Sequence, residues 1–283
     1  MELGTTFAMN WLSDVALLRE LARELDDGGI DFVSHGGHLL TARADRYPER
    51  PLPTYALPYR DPFVLYSHLA AITERLRFRP AVLILPMLPT VLVAKQAADL
   101  SILSGGRFDL GVGLSWQEAE FGALGTKVGN RGKRMDEQID VLRRLWTEPF
   151  VTYEGRYHHI DDLGIGQLPT PIVPIWIATR TDDERALRRV GRLADGWTTL
   201  FPPSDELIAQ VRGYAAEAGR PADLQINASL TLGDDADVWT AEAVRLRDAG
   251  VTSLSLGPGA GLSPADSVAA VLAARGILAD ALA

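Results

Sequence analysis

Residues 94–113 read AKQAADLSILSGGRFDLGVG, and they predict a helix, a glycine turn and a strand in succession. Gly105 and Gly106 can end the helix because glycine takes a positive φ at little steric cost. The strand that follows carries apolar residues on one face and ends with Gly111 and Gly113 on the other. A strand face without side chains at its carboxyl end predicts space for a flat ligand at the mouth of an α/β barrel.

Strand-like and helix-like segments alternate along the rest of the chain. Eight strands, each followed by a helix, predict a (β/α)8 TIM barrel of the α/β class, with residues 1–283 forming a single domain. The predicted strands are 3–8, 31–34, 77–85, 107–113, 175–178, 196–200, 224–231 and 253–256. The predicted helices are 14–28, 61–74, 90–103, 131–146, 183–193, 204–218, 237–249 and 264–281.

Two connections are long for a barrel. The first, residues 35–60, follows strand 2, and the second, residues 147–174, joins strands 4 and 5. Long connections in a compact domain are often lids or binding loops. Because the first one leaves the carboxyl end of a strand, where barrels place their active sites, we expect it to cover a small-molecule site.

Composition excludes several classes of function. The chain has 28 basic and 37 acidic residues, so its net charge of −9 disfavours binding to nucleic acid or to an anionic membrane. It has no cysteine, which excludes disulfides and thiolate catalysis and fits a cytoplasmic protein. The longest uncharged run, residues 80–94, is shorter than the roughly 18 apolar residues of a membrane-spanning helix, and it contains three prolines. We therefore expect no membrane span.

Histidines are the candidate acid–base groups. His35 and His38 follow strand 2 on the predicted active face, and histidine titrates near neutrality. No carboxylate stands near them at the spacing of metal ligands, so no metal site is predicted. His158 and His159 are neighbours in the second long connection, and we expect both to be exposed to solvent.

Glycine-rich and helix-start segments offer possible phosphate sites. The GVG at 111–113 does not match a dinucleotide fingerprint, because Trp116 occupies the third glycine position. Residues 177–181 precede a helix and include Arg180, and the free N–H groups of a helix start favour an anion. Residues 257–261 (GPGAG) follow the last strand, where many barrels bind phosphate. The residues alone do not decide between these two segments as the phosphate site.

Four stretches together resemble the bacterial luciferase-like monooxygenases, and within them the oxidoreductases that use the deazaflavin coenzyme F420. The resemblance covers most of the chain to about residue 200. The stretches are residues 29–33 (GIDFV) with His38-Leu39, residues 77–95 (RFRPAVLILPMLPTVLVAK), residues 103–116 (LSGGRFDLGVGLSW) continuing through Glu118 and Glu120, and residues 174–197 (PIWIATRTDDERALRRVGRLADGW).

The resemblance implies a barrel that forms a homodimer and holds the ring of the coenzyme at its carboxyl mouth. It implies a non-proline cis peptide at Ala81–Val82 and a proton-transferring role for His38 beside the hydride-transfer centre. Residues implied to border the ring are Ala81, Val82, Leu83, Gly113, Leu114 and Ser115. Residues implied to bind the phosphate tail are Ala178, Thr179, Arg180, Gly196 and Trp197.

Family members often carry an aspartate directly before this histidine, where the chain has Gly37. This departure predicts that the carboxylate which would orient His38 is missing. Tyr55, Tyr59 and Trp116 are predicted to line the substrate pocket, and their rings favour an apolar or ring-bearing substrate.

Three functions follow as hypotheses. The leading one is transfer of a hydride between F420 and a small organic substrate. The second is an FMN-dependent monooxygenase of the same broad family, which uses reduced flavin and O2. The third is a barrel without redox chemistry, either an enzyme or a binding protein, because fold alone does not give function.

Overall fold

The computed structural model describes residues 1–7, 9–41, 59–115, 117–179, 183–221 and 223–282. Its barrel strands are β1 (Glu2–Thr6), β2 (Phe32–Gly37), β3 (Arg77–Leu83), β4 (Leu110–Val112), β7 (Ile175–Thr179), β8 (Gly196–Thr199), β9 (Gln225–Thr231) and β10 (Ser253–Gly257). They form a closed parallel barrel in the order β1-β10-β9-β8-β7-β4-β3-β2. The predicted (β/α)8 barrel is confirmed, and each predicted strand is present.

Helices surround the barrel. They are α1 (Val15–Asp27), α2 (Pro62–Ala70), α3 (Thr90–Leu103), α4 (Glu118–Ala123), α5 (Arg131–Thr147), α6 (Glu184–Leu193), α7 (Asp205–Glu217), α8 (Ala236–Asp248) and α9 (Pro264–Ala281). Asp14, Ser204 and Ser263 cap α1, α7 and α9 by accepting hydrogen bonds from backbone N–H groups of the first turn. Helix α4 is absent from the helices that the sequence predicts, because its six residues are too few to show a helical period. Within the described residues, no helix is long and apolar enough to cross a membrane.

The connection between β4 and β7 contains an antiparallel hairpin that the sequence did not predict. Its strands are β5 (Val151–Glu154) and β6 (His159–Leu163). His158 connects the hairpin to helices α5 and α3: Nδ1 lies 2.8 Å from Glu137 Oε1, and Nε2 is hydrogen-bonded to Thr90. The prediction that His158 is exposed is therefore wrong, since only 11% of its side chain is accessible, whereas His159 is exposed as predicted.

Residues along each barrel strand alternate between two environments. Outward-facing side chains such as Val33, Phe78 and Ile177 join the hydrophobic core between the sheet and the helices. Inward-facing side chains fill the lower barrel, where the Arg79 guanidinium carbon lies 3.5 Å from the ring centroid of Trp176 and 4.4 Å from that of Phe32. Stacked side chains thus fill the amino-terminal half of the barrel and separate the carboxyl mouth from the amino end.

Glycines on β4 bring β3 and β4 close together. A Cβ built on Gly111 would lie 1.9 Å from the carbonyl oxygen of Pro80, and one built on Gly113 would lie 2.6 Å from Val82 Cγ2. The prediction that this strand face stays open for a flat ligand is wrong at these two positions, because β3 occupies the space. The Ala81–Val82 peptide bond is cis, which confirms that prediction.

Candidate active site at the carboxyl end of the barrel

His38 and Glu120 form the central polar pair of the site. His38 follows the last residue of β2, and Glu120 lies on α4, which follows β4. His38 Nδ1 and Glu120 Oε2 are 2.7 Å apart. The other carboxylate oxygen accepts hydrogen bonds from the backbone N–H groups of Leu39 (2.7 Å) and Leu40 (3.0 Å). One buried carboxylate therefore fixes both the imidazole and the chain that leaves β2.

This pair overturns the prediction that His38 lacks an orienting carboxylate. Gly37 provides none, but Glu120 reaches the histidine from two strands away, across β3. A carboxylate only accepts hydrogen bonds, so a neutral His38 carries its proton on Nδ1 and its lone pair on Nε2. Glu120 belongs to the stretch that resembles the family, but the sequence indicates no role for it, because its partner His38 is 82 residues away.

Burial and hydrogen bonding act in opposite directions on the Glu120 carboxyl. Burial alone would raise its pKa, since only 1% of the side chain is accessible. The hydrogen bonds from His38 and from the two backbone N–H groups outweigh burial and lower the pKa below its ordinary value. Glu120 is therefore an anion at neutral pH, and it is a hydrogen-bond acceptor for His38 Nδ1.

His35 is a different kind of histidine. It lies on the outward face of β2 with 1% of its surface accessible. Burial lowers the pKa of His35 to about 4, so its ring is neutral at physiological pH. Among the described residues, its Nε2 atom has no hydrogen-bond partner. His35 belongs to the packing between the sheet and the helices, which leaves His38 as the candidate acid–base group.

Three inward-facing residues form a small-residue arc at the mouth. Ala81 on β3, Gly113 just after β4 and Ala178 on β7 stand on three neighbouring strands. Ala81 is exposed and Ala178 is half-buried, so both are reachable from the opening. Val82 is half-buried and packs against Gly113. The structure therefore brings three predicted ring-bordering residues, Ala81, Val82 and Gly113, to one side of the mouth, next to Ala178, which was predicted to bind the phosphate tail.

The remaining residues predicted to border the ring differ in their burial. Leu83 is fully buried in the hydrophobic core, and its carbonyl oxygen accepts from the Gly113 N–H group at 3.0 Å. Leu114 and Ser115 are half-buried in the turn after β4. Ser115 has a φ of 54°, a left-handed conformation that is uncommon for a residue other than glycine. Their backbone is thus held close to the small-residue arc.

The residues predicted to bind the phosphate tail do not all lie at the mouth. Trp197 Nε1 donates to Thr179 Oγ1 at 3.0 Å, and both side chains are buried on the outward face of the sheet. Gly196 lies deeper in the barrel, where a Cβ would be 2.3 Å from the Trp176 ring. The side chains of Thr179 and Trp197 therefore do not line the mouth. Arg180 lies outside the described residues.

One of the three predicted substrate residues can be placed. The Tyr59 ring lies 5.5 Å from the His38 ring in an edge-to-face arrangement, measured between centroids. Tyr59 also borders a surface groove of about 430 Å³ between α1 and α2. Tyr55 and Trp116 lie outside the described residues.

A second cavity, of about 720 Å³, opens at the opposite, amino end of the barrel. Its charged side chains pair with one another: Arg79 Nη2 lies 2.9 Å from Asp109 Oδ2, and Arg143 Nη2 lies 2.7 Å from Asp195 Oδ1. This end of a barrel usually serves stability, whereas active sites form at the carboxyl end. The candidate active site is therefore the mouth next to His38.

A sequence model of the luciferase-like monooxygenase family matches residues 5–277. The chain belongs to the luciferase-like monooxygenase family. It is 31% identical over 215 residues to an F420-dependent glucose-6-phosphate dehydrogenase of Nakamurella multipartita, a match that spans 73% of this chain and 60% of that protein. The sequence resemblance to luciferase-like proteins and F420-dependent oxidoreductases is thereby confirmed at the level of the family.

Solved structures of the same fold include enzymes with either cofactor. An F420-dependent secondary alcohol dehydrogenase in complex with an F420–acetone adduct superimposes with a TM-score of 0.79, at 15% identity over 98% of both chains. The oxygenating constituent of 3,6-diketocamphane monooxygenase from Pseudomonas putida, in complex with FMN, gives a TM-score of 0.76 at 15% identity over 99% of this chain and 98% of that one. At such identities these likenesses establish the barrel alone.

Proposed function

We propose that the protein is an oxidoreductase that transfers a hydride between coenzyme F420 and a small organic substrate. The observation that carries the proposal is the His38–Glu120 pair at the carboxyl mouth, next to the small-residue arc. The F420-dependent relative from Nakamurella multipartita supports deazaflavin over other cofactors.

The small-residue arc suits a planar heterocycle. Ala81 and Ala178 project only a methyl group each, so a flat ring can lie close to the backbone of β3 and β7, while Val82 covers Gly113 between them. Val82 adds an apolar contact at the same place. The backbone around residues 178–180 is proposed to hold the phosphate tail, since it leads from β7 towards α6.

His38 would handle the proton that accompanies hydride transfer. When bound, the deazaflavin would supply a hydride donor or acceptor at C5. With its Nδ1 proton held by Glu120, His38 accepts a proton at Nε2 when an alcohol is oxidised and returns it when a carbonyl is reduced. The Glu120 anion stabilises the imidazolium that forms, and hydrogen bonds to Leu39 and Leu40 keep the carboxylate in place.

FMN-dependent oxygenation is the second candidate. The family model is named for monooxygenases, and the Pseudomonas putida enzyme of the same fold carries FMN. A flavin ring and a deazaflavin ring have the same outline, so the small-residue arc suits both.

Cofactor titration separates these candidates. The purified protein is titrated with F420 and with FMN, and binding is followed by quenching of cofactor fluorescence. We expect F420 to bind at micromolar concentration or below and FMN to bind much more weakly. Tight FMN binding without deazaflavin binding would overturn the proposal, and binding of neither would favour a barrel without redox chemistry.

A matched pair of variants tests the place of the ring. Ala178→Leu fills the small-residue arc, and we expect it to abolish binding of the cofactor, whereas Ala178→Ser should preserve it. Circular dichroism shows whether both variants fold. We also propose that the protein is a homodimer, as its family resemblance implies, and that it is cytoplasmic, which its lack of cysteine fits. Light scattering after gel filtration would give its mass in solution, and a monomer would refute the homodimer.

A further inference from the structure

Opposite the small-residue arc, inward-facing residues that carry hydroxyl groups lie towards the carboxyl end of the barrel. They stand on five neighbouring barrel strands, β8, β9, β10, β1 and β2. We call them the hydroxyl arc: Thr198, Ser229, Ser255, Thr6 and Ser34. The mouth is therefore divided into a half with minimal side chains and a half that presents hydroxyl groups.

Strand register supports this placement. Thr6 pairs with Ser34 across β1 and β2, and Ser255 pairs with Ser229 across β10 and β9. Each of these residues alternates with an outward neighbour in the hydrophobic core; Leu230 beside Ser229 is an example. The hydroxyl groups thus point into the barrel rather than into the helical layer.

Four of the five residues of the hydroxyl arc are accessible, Ser34 being buried, and the protein satisfies only some of their hydroxyl groups. Thr6 is exposed, and Thr198, Ser229 and Ser255 are half-buried. Thr6 Oγ1 lies 2.7 Å from Ser34 Oγ, and Asn227 Nδ2 donates to Ser255 Oγ at 3.0 Å. In the described part of the chain, neither Thr198 nor Ser229 forms a side-chain hydrogen bond. Two hydroxyl groups at the mouth therefore keep their donor and acceptor capacity for a ligand.

Partly buried hydroxyl groups discriminate between ligands. An apolar ligand that covers Thr198 and Ser229 removes water from them and leaves them unpaired, which lowers its affinity. A ligand with hydroxyl or carbonyl oxygens restores those hydrogen bonds, and sites of this kind reject analogues that lack the polar group. The side chains of the arc are uncharged, so they supply no opposite charge to an ionised ligand.

We propose that the hydroxyl arc is the substrate side of the mouth and that it takes an uncharged substrate with several hydroxyl or carbonyl oxygens. This inference rests on the proposed function, which places the cofactor ring on the small-residue arc. The aromatic residues of the sequence favour an apolar or ring-bearing substrate. The hydroxyl arc adds that the end of the substrate which faces β8 and β9 carries several oxygen atoms.

Three carbocyclic probes of matched size test the inference. They are cis-cyclohexane-1,2-diol, cyclohexanol and cyclohexanecarboxylate, and binding is measured by ligand-observed NMR with and without the bound cofactor. We expect the diol to bind at least about fivefold more tightly than cyclohexanol, the equivalent of one added hydrogen bond, and the carboxylate to bind most weakly.

Isosteric variants assign the effect to the arc. Thr198→Val keeps the shape and removes the hydroxyl group, so the diol should bind about fivefold more weakly, while Thr198→Ser should restore its affinity. Ser229→Ala and Ser229→Thr form a second pair with the same expectation. Unchanged melting temperatures exclude a folding defect.

Several outcomes would overturn the inference. These are equal affinity for the diol and cyclohexanol, failure of the diol to bind, and diol affinity that is unchanged in Thr198→Val. Weaker cofactor binding in Thr198→Val with unchanged diol binding would assign the arc to the cofactor instead. If the wild type binds no deazaflavin but keeps its preference for the diol, the proposed function fails while the hydroxyl arc stands.

Discussion

Glu120→Gln tests whether the carboxylate sets the proton position on His38. The glutamine oxygen can keep both backbone hydrogen bonds, from Leu39 and Leu40. Its amide nitrogen then faces His38 Nδ1, where the carboxylate oxygen stood at 2.7 Å. An amide nitrogen only donates, so Nδ1 must accept and the ring proton moves to Nε2.

The magnitude follows from the kind of hydrogen bond that is lost. A hydrogen bond to a charged group contributes about 1.5–3 kcal/mol. The imidazolium that forms when His38 accepts a proton at Nε2 would lose this hydrogen bond, so turnover should fall roughly 10- to 100-fold. The affinity for the cofactor should change little, because Glu120 contacts His38 and does not belong to the small-residue arc.

Long-range 1H–15N NMR of labelled histidine reports the tautomer directly, and it needs neither cofactor nor substrate. The wild type should show the proton on Nδ1 of His38, and Glu120→Gln should show it on Nε2. Glu118→Gln is the matched control, since it removes the same charge from an exposed position on the same helix. An unchanged tautomer in Glu120→Gln, or an equal effect of Glu118→Gln, would refute the reasoning.

Three further predictions concern His38, His35 and Gly111. His38→Asn should lower turnover at least about 100-fold while fluorescence titration gives an unchanged cofactor affinity, because general acid–base groups contribute 10²–10⁴-fold; unchanged turnover would remove His38 from the mechanism. Burial lowers the pKa of His35 from 6.5 to about 4 in the folded protein. Between these pH values His35 binds a proton in the unfolded chain but not in the folded one, so about 3 kcal/mol of folding stability is lost as the pH falls from 6.5 to 4. Chemical denaturation of His35→Gln across this window should show a flatter profile than the wild type, and parallel profiles would contradict the assignment. Gly111→Ala should lower the free energy of unfolding by about 2–3 kcal/mol, since its Cβ would lie 1.9 Å from the Pro80 oxygen. Gly122→Ala meets open space and should be tolerated. Chemical denaturation measures both variants, and equal stability of the two would refute the close approach of β3.

Local patterns predicted most of the fold. Helices α3 and α9 begin and end where apolar spacing and flanking cap residues indicate, at Thr90–Leu103 and Pro264–Ala281. These features depend on neighbours within a few residues, so one sequence contains the information. The β5–β6 hairpin was missed because its strands are short and carry exposed acidic residues such as Asp161 and Asp162, which do not give a buried-strand pattern.

The site was predicted less completely than the fold. Family resemblance indicated His38 and the Ala81–Val82 cis bond, and both stand at the mouth. Glu120 was given no role, because the residue that orients a histidine in this family was expected directly before it in the chain. Its pairing with His38 depends on β2, β3 and β4 lying side by side, which no local pattern records.

The amino-acid sequence by itself determined that the chain alternates strands and helices and closes as a barrel, because apolar spacing, caps and glycine turns act over a few residues. The tertiary structure alone decided which side chains meet. It places Glu120 within hydrogen-bond distance of His38, fills the space beside Gly111 with β3 and divides the mouth into two unlike halves. Such pairings are set by strand order, register and the direction in which each side chain leaves its strand, and these are properties of the closed sheet as a whole.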